Sequence, residues 1–562
     1  MFERKRVEYR PVNEDYLEEA RQRRMKEVRM WEIIYDLGSF FFFIWILLVL
    51  SHGNRDPNAF LMRNELGNNF LMRDMDPEEK GTNIFSIGTI EDLYTWLRDI
   101  FIEDIIFDKN YNDKYNRKLD TKWLIKDQVS LLLGYSTLRQ IRIENETCQM
   151  PEVAETFVRH KCRSKTNLIY EEKENFDVGW KPLPAKKRPK EEYTYKGSLE
   201  LQGIPFWGNR DVYSGGGYQV KLRGNKGKLL SIIDRLEANR WLDERTRALF
   251  VEFSLFNVQV NLFASCIICF EQGPEGSLTV YAKLNPLKLL RYSEGFALFV
   301  MICEGLFIAF IVYYTYSEIR DMIRQGKRYW KDSWNYLEII IIGLGWSATV
   351  FYAIRTVFGI YIANKFKETE GNGYIKLDYA ASVDEVCLYL FSFLVFFANL
   401  KFIKLLRFNK RMGVLTSTLK QCAADLSGFM VAFLLSFLSF SMLFFFMHKQ
   451  HHLEYSTFIS AIESSLSIML GKFDFSELVT NAPLMAPMAF FIFVFFTSIV
   501  MVNLLLTIIL TSFMEVKNDL LKQSNEYEIL DFLVYTVKKT VGLGGAATGD
   551  TNVPIPDTNK DS

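Results

Sequence analysis

The chain has 562 residues with 67 basic and 67 acidic side chains, a formal charge of zero, and is 49% hydrophobic and 15% aromatic. That composition excludes a disordered chain, and the missing basic excess argues against nucleic acid as a partner. The mean hydropathy is close to zero, which either a large soluble fold or alternating polar and apolar segments would give, so the distribution along the chain decides.

A charged lead of about thirty residues comes first, with Arg21, Arg23, Arg24, Lys26 and Arg29 near its end. Leu37–Ser51 carries no charge, and residues 33–35 extend it to spanning length. It is not a cleaved signal peptide, because it follows a long charged lead and His52-Gly53-Asn54-Arg55 offers no small-residue cleavage site.

Residues 52–292 alternate aromatic and aliphatic residues with turn signals such as Gly215-Gly216-Gly217, which predicts a folded α+β domain. Leu229–Leu236 reads as a short amphipathic helix. Phe253–Phe270 is apolar enough to suggest a span, yet Phe256–Leu262 alternates apolar and polar residues, so a half-buried strand is expected. Asn145-Glu146-Thr147 is a glycosylation sequon. Cys148 and Cys162 enclose thirteen residues, and a disulfide between them is worth about 3 kcal/mol in the chain-entropy model. The other five cysteines lie in strand or membrane segments and read as small hydrophobes. Asp108–Asn112 begins like a calcium-binding loop, but Asp113 and Leu119 stand where that loop needs Gly and Glu.

Five further apolar runs follow: Phe296–Tyr314 with Glu304, Leu337–Ile354 with Glu338, Val386–Leu400, the 22 uncharged residues Leu426–Met447, and the 31 uncharged residues Leu484–Met514. With the first run they predict a polytopic α-helical membrane protein of six spanning helices, since about 20 apolar residues cross a bilayer. Arg320, Arg324, Lys327, Arg328 and Lys331 join helices two and three, and Lys401, Lys404, Arg407, Lys410 and Arg411 follow helix four. Residues 448–483, between helices five and six, hold only Lys449 and Lys472. Positive charge collects on the cytoplasmic side, so both termini are expected there and residues 52–292 outside or in a lumen. The expected organisation is a cytoplasmic lead (1–32), helix one (33–51), the outer domain (52–292), helices two to four with a linker (293–420), a pore module (421–514) and a cytoplasmic tail (515–562).

The pore module is read from one short segment. Thr457–Leu470 is about fourteen mostly apolar residues ending at Gly471, too short to span. A helix that enters the membrane, stops at a glycine and returns through a loop builds a cation pore, because its C-terminal dipole end attracts cations. Helix six reaches about 46 Å over its uncharged residues, as a tilted pore-lining helix would need, with Asn503, Leu504 and Ile508 expected on the pore face. Lys401, Lys404 and Arg407 recur at spacing three, either as a voltage-sensing stripe or, as their place at the inner end favours, as snorkelling anchors. His448, His451 and His452 read as a solvated cluster outside helix five rather than a zinc or proton site. Gly544–Gly549 has Asp550 where a phosphate loop needs Lys. No spacing supports an enzyme, and no metal site or cofactor is expected.

Several motifs in order resemble the polycystins: Ser51-His52-Gly53-Asn54-Arg55-Asp56-Pro57, Pro205-Phe206-Trp207-Gly208, Gly215-Gly216-Gly217-Tyr218, Trp241-Leu242-Asp243, Thr246–Phe253, Leu470-Gly471-Lys472-Phe473-Asp474-Phe475 and Met514-Glu515-Val516-Lys517. The likeness covers about residues 20–520 and is nearest to the polycystin-1-like and egg-jelly-receptor branch. It implies a six-helix channel module of the transient-receptor-potential type and an outer polycystin domain through which subunits touch. It also implies a tetramer mixed with polycystin-2-like subunits in the plasma or ciliary membrane, with calcium among the permeating ions and Leu470–Asp474 as selectivity filter. Cys148 and Cys162 match the family's disulfide. Polycystin-2-like filters carry an acid where this chain has Lys472. Four lysines around one pore would repel calcium by a few kcal/mol even at an effective dielectric of about 20, with Asp474 as the nearest acid. The expectation is a subunit that conducts poorly alone and tunes a mixed tetramer. The alternatives are a non-conducting receptor-like or assembly subunit, and a transporter, for which no internal repeat is visible. The chain also lacks the large ectodomain and five earlier helices of polycystin-1-like proteins, as a short homologue or a fragment would.

Overall fold

The computed structural model describes residues 14–53, 56–75, 81–107, 124–145, 153, 170–184, 187–273, 275–290, 297–406, 410–472 and 483–522. Among the described residues six helices are long and apolar enough to cross a membrane, as expected of a multi-pass membrane protein. Helix one is Glu14–Gly53, helix two Ala297–Gln325, helix three Ser333–Thr369, helix four Asp378–Leu406 and helix five Lys410–His448. Helix six runs from Met485 to Lys522 with a π-helical stretch at Val494–Met501. The helices outrun the apolar segments that predict them. Helix three, for example, continues past Arg355, whose charge is neutralised by Asp384 at 2.5 Å. The chain divides into two compact units, residues 41–399 and residues 1–40 with 400–562.

In the unit of residues 41–399 an antiparallel sheet lies between helices one and two. Its elements are drawn from β1 (Ser130–Leu132), β2 (Ser136–Arg142), β3 (Phe176–Asp177), β4 (Lys181–Pro182), β5 (Tyr195–Lys196), β6 (Phe206–Trp207), β7 (Val212–Tyr213), β8 (Gly217–Leu222), β9 (Thr246–Asn257), β10 (Leu262–Gln272) and β11 (Leu278–Leu287). Seven of these form one sheet in the order β11-β10-β9-β2-β8-β5, with β1 also on β9, while β3–β4 and β6–β7 are separate hairpins. Both faces of β9 are covered, so its residues are buried on either side, the polar Arg247, Glu252 and Ser254 included. Leu249, Val251 and Phe253 pack with Trp96, Phe101 and the helix Lys226–Ala238. Ala248 and Phe250 face the opposite way, onto Phe206 and Tyr213 of the β6–β7 hairpin. The predicted amphipathic helix is present, capped by Asn225 and buried through Leu229, Ile233 and Leu236, spaced for one helical face.

The run Phe253–Phe270 is strand rather than spanning helix, as expected, but it is two strands of a hairpin, with the turn at residues 258–261. β9 stops at Asn257, whose side chain accepts from the Gln259 amide at 3.0 Å. Asn261 takes a left-handed φ of 52° before β10 begins. Two of the three polar residues that mimic period two, Asn257 and Asn261, are turn-forming asparagines.

The link between helices three and four is tied to the sheet. Tyr374 stacks on Tyr135 with ring centroids 4.8 Å apart, and Ile375 and Leu377 join the core of Phe256 and Phe263. Gly134 makes room for this link: a Cβ there would lie 2.5 Å from the Tyr374 nitrogen. Cys266, Cys269, Cys303, Cys387 and Cys422 are buried and in no disulfide among the described residues, and burial pushes the thiols of Cys266 and Cys269 up. Cys148, Cys162, the loop Asp108–Leu119 and Gly544–Gly549 lie outside the described residues.

Candidate functional site

The unit of residues 1–40 with 400–562 contains the predicted pore segment. Helix five ends at His448, a short 3-10 turn occupies Leu453–Tyr455, and the short helix Phe458–Met469 follows. Thr457 caps that helix by accepting from the Ser460 amide at 3.1 Å. Ala461, Ser465 and Ile468 are its buried positions, spaced i, i+4 and i+7 on one face. Ala461 and Ile468 share a core with Tyr455 of the 3-10 turn and with Phe437, Phe444, Ala489, Phe490 and Phe493 of helices five and six. Ser465 turns its hydroxyl back to the Ala461 carbonyl at 2.7 Å, so a buried polar group is satisfied inside the helix itself. The opposite face leaves Ile459, Leu466 and Leu470 exposed.

The C-terminal end is built with more precision than sequence spacing shows. The Lys472 amide donates to the Ser467 carbonyl at 2.8 Å, and the Gly471 amide to Ile468 at 2.9 Å. Gly471 sits at φ +83°. These two bonds and a left-handed glycine make a Schellman cap. The negative pole of the helix dipole therefore ends at Leu470-Gly471, and the exposed Lys472 follows immediately. A cation at this position complements that pole, which gives Lys472 a local electrostatic reason to be there.

The remaining expected residues are placed unevenly. Phe473 and Asp474 lie outside the described residues, as does Arg407. Asn503 and Leu504 are exposed on helix six and Ile508 is half-buried, one turn from Leu504. Lys401 lies 4.9 Å above the ring of Phe40, a cation–π contact suited to an anchoring side chain. Lys404 is in helix four. Asn145 is exposed, as glycosylation requires, while Thr147 of its sequon is outside the described residues.

Two features were not anticipated. The reading of His448, His451 and His452 as a solvated cluster is corrected: His448 is fully buried and His452 nearly so. His448 packs against Phe444, Tyr455 and His452. The 3-10 turn folds its aromatic ring back over the end of helix five, which spacing alone does not reveal. Among the described residues neither ring nitrogen of His448 has a hydrogen-bond partner. Among the described residues no group of three or more His, Cys, Asp or Glu is arranged to hold a metal. The π-helical stretch in helix six was also missed. The one local signal is a polar pair, Thr497-Ser498, in an apolar run; Thr497 is buried and donates to the Phe493 carbonyl at 2.6 Å. Such π-segments interrupt α-helices mostly at functional sites.

Comparison with known proteins matches these two parts of the chain to two family models. The polycystin domain model matches residues 83–290, and the polycystin cation channel model matches residues 291–516. Polycystin-2 of Danio rerio is 29% identical over 508 residues, 90% of this chain and 54% of that protein. Human polycystin-2-like protein 1 is 28% identical over 92% of this chain and 62% of that protein. Mouse polycystin-1-like protein 3 is 24% identical over 89% of this chain and 22% of that protein. The matches include both branches of the family, and the chain spans about half the length of the polycystin-2 relatives and a smaller part of the polycystin-1-like one.

Proposed function

The chain belongs to the polycystin family of cation channels, and from that premise we propose that it is a subunit of a tetrameric, calcium-permeable, non-selective channel whose filter it modifies. Lys472 carries this reading. It occupies the position directly after the capped pore-helix end, where polycystin-2-like filters resemble one another in carrying an acid. Four such lysines would raise the electrostatic cost of a divalent cation by a few kcal/mol at an effective dielectric of about 20. A mixed ring with acid-bearing partners dilutes that cost. Lys472 then lowers calcium preference without closing the pore, and Asp474 supplies part of the lost negative charge. Leu470 and Gly471 complete the filter entrance, and Asn503, Leu504 and Ile508 line the helix-six bundle below it.

In this arrangement the domain of residues 52–292 and its Cys148–Cys162 disulfide face the outside or a lumen, with Asn145 glycosylated and both termini cytoplasmic. Lys401, Lys404 and Arg407 anchor helix four at the inner leaflet of the plasma or ciliary membrane. The protein works without a catalytic group or cofactor, and calcium enters as cargo. The test is co-purification with polycystin-2-like subunits, with currents recorded from the chain alone and from the complex. Currents of altered calcium preference only in the complex support the proposal. A complex that forms but leaves the partner's selectivity untouched supports instead a receptor-like or assembly subunit.

A further inference from the structure

A cavity of about 160 Å³ opens between the sheet of residues 130–287 and the first turns of helix four. Its aromatic wall is Phe206, Trp207 and Tyr281, with the Phe206 and Tyr281 rings edge to face at 5.7 Å. Trp207 stands at the rim 69% exposed, a large apolar ring that the fold of the protomer does not cover. The opposite wall is charged: Arg139, Lys283 and Lys376 line the cavity against one carboxylate, Asp378.

These charges are not equally committed. Arg139 is fully engaged, donating to Glu252 at 2.7 Å and to the carbonyls of Ser214 and Gly216. Lys376 is shared between Glu252 at 3.0 Å and Asp378 at 3.3 Å, with both partners buried. Asp378 is further held by the Ser265 hydroxyl at 2.7 Å. Lys283 differs, because its partner Glu385 does not line the cavity and both side chains are about one-third exposed. An ion pair in that position exchanges partners at little cost. Two further lining side chains, Asn285 and Ser382, are polar and half-buried, and make no side-chain hydrogen bond among the described residues. One cation with a replaceable partner, two free polar groups and an aromatic wall converge on one space of small-molecule size.

We propose that this cavity is a binding site for a small aromatic carboxylate. The ring lies between Trp207 and Tyr281, and the carboxylate takes over Lys283 from Glu385 with Asn285 and Ser382 as donors. A charge-assisted pair enclosed by an aromatic wall selects an anion over a neutral or cationic isostere. The volume admits a ligand of about ten non-hydrogen atoms, for which a dissociation constant on the order of a millimolar is expected. Because the site joins the sheet to Ser382 in helix four, its occupant stabilises that junction and raises the heat resistance of the chain.

The experiment titrates the full chain in lipid nanodiscs with 4-fluorobenzoate, 4-fluorobenzamide and 4-fluorobenzylamine, followed by fluorine NMR line broadening. The expected result is saturable binding of the benzoate, about tenfold or more tighter than the amide or amine. It is weakened about tenfold by Trp207→Ala and by Lys283→Gln. Absence of saturation by the benzoate up to about 10 mM overturns the proposal. Equal affinity for the three probes overturns it too, and so does binding that neither variant weakens. The comparison among probes uses the unmodified chain, and Trp207 is exposed, so the outcome stands even where Lys283→Gln fails to fold.

Discussion

The backbone amide of Lys472 closes the pore helix onto the carbonyl of Ser467 at 2.8 Å. The residue proposed to replace a filter acid is thus also the residue whose main chain ends the helix. Its side chain is free to vary without loss of that bond, whereas the glycine before it is not.

Gly471 is required by its conformation rather than by crowding, since nothing lies within 4 Å of a Cβ built there at φ +83°. Gly471→Ala should cost about 1 kcal/mol of pore-helix capping, and Gly471→Asn less, because asparagine tolerates the left-handed region. Current per channel at the cell surface is the readout. A loss graded Val greater than Ala greater than Asn is expected, and equal activity of the valine variant contradicts the assignment.

The link between helices three and four depends on one buried carboxylate. Glu252 accepts from Arg139 at 2.7 Å and from Lys376 at 3.0 Å, and all three are nearly inaccessible. Glu252→Gln leaves the buried Arg139 without its counter-charge and Lys376 with Asp378 alone at 3.3 Å, at a cost of about 3–5 kcal/mol. Glu275→Gln breaks only the exposed pair with Arg210 and should cost under about 1 kcal/mol. Folded protein surviving a heating series, measured by size exclusion in detergent, separates the two; equal losses contradict the burial argument.

The same carboxylates set an acid limit. Burial alone would push Glu252 up, but the charges of Arg139 and then Lys376 outweigh it and hold its carboxyl below the usual range. The hydrogen bond from Arg210, with the backbone and Ser277, lowers Glu275 to about 2. A lowered carboxyl binds fewer protons folded than unfolded, so its contribution is complete above the ordinary value near 4.5 and is lost as pH falls towards the folded value. Heat resistance should be flat from neutrality to about pH 5 and then fall by up to about 1.4 kcal/mol per pH unit for the buried Glu252, with the exposed Glu275 adding much less because solvent screens its pair. The slope should be shallower in Glu252→Gln. A protein equally stable at pH 3 and pH 7 would contradict this.

His448 presents the opposite case, a buried ring with neither nitrogen satisfied among the described residues. An unmet buried polar group costs about 1–3 kcal/mol, so His448→Phe, which keeps the ring contacts with Phe444 and Tyr455, should raise heat resistance. A clear decrease would show that the ring has a partner in the assembled protein.

What the sequence revealed depended on the range of the interactions. The six spans and the short pore helix were legible because uncharged runs such as Leu426–Met447 report their solvent directly. The helix Lys226–Ala238 was legible because Leu229, Ile233 and Leu236 recur on one face. The hairpin turn at 258–261 was misread because Asn257 and Asn261 fall in period two by coincidence with their turn roles. The triad of Arg139, Glu252 and Lys376 was invisible, since partners over one hundred residues apart in sequence leave no local pattern; the burial of His448 was missed because it depends on how the turn at Leu453–Tyr455 folds back over the end of helix five. After the short helix Phe458–Met469, Gly471 announced the helix end, but the two bonds that cap it, from the Gly471 and Lys472 amides, emerge only from the backbone.

The central claim is that Lys472 sets ion preference in a mixed tetramer. Its most direct test is the calcium-to-sodium permeability ratio, from reversal potentials, of a polycystin-2-like partner co-expressed with this chain or with its Lys472→Asp variant. The account predicts a higher calcium ratio with the aspartate variant at equal surface assembly. An unchanged ratio, with both complexes formed, would contradict it.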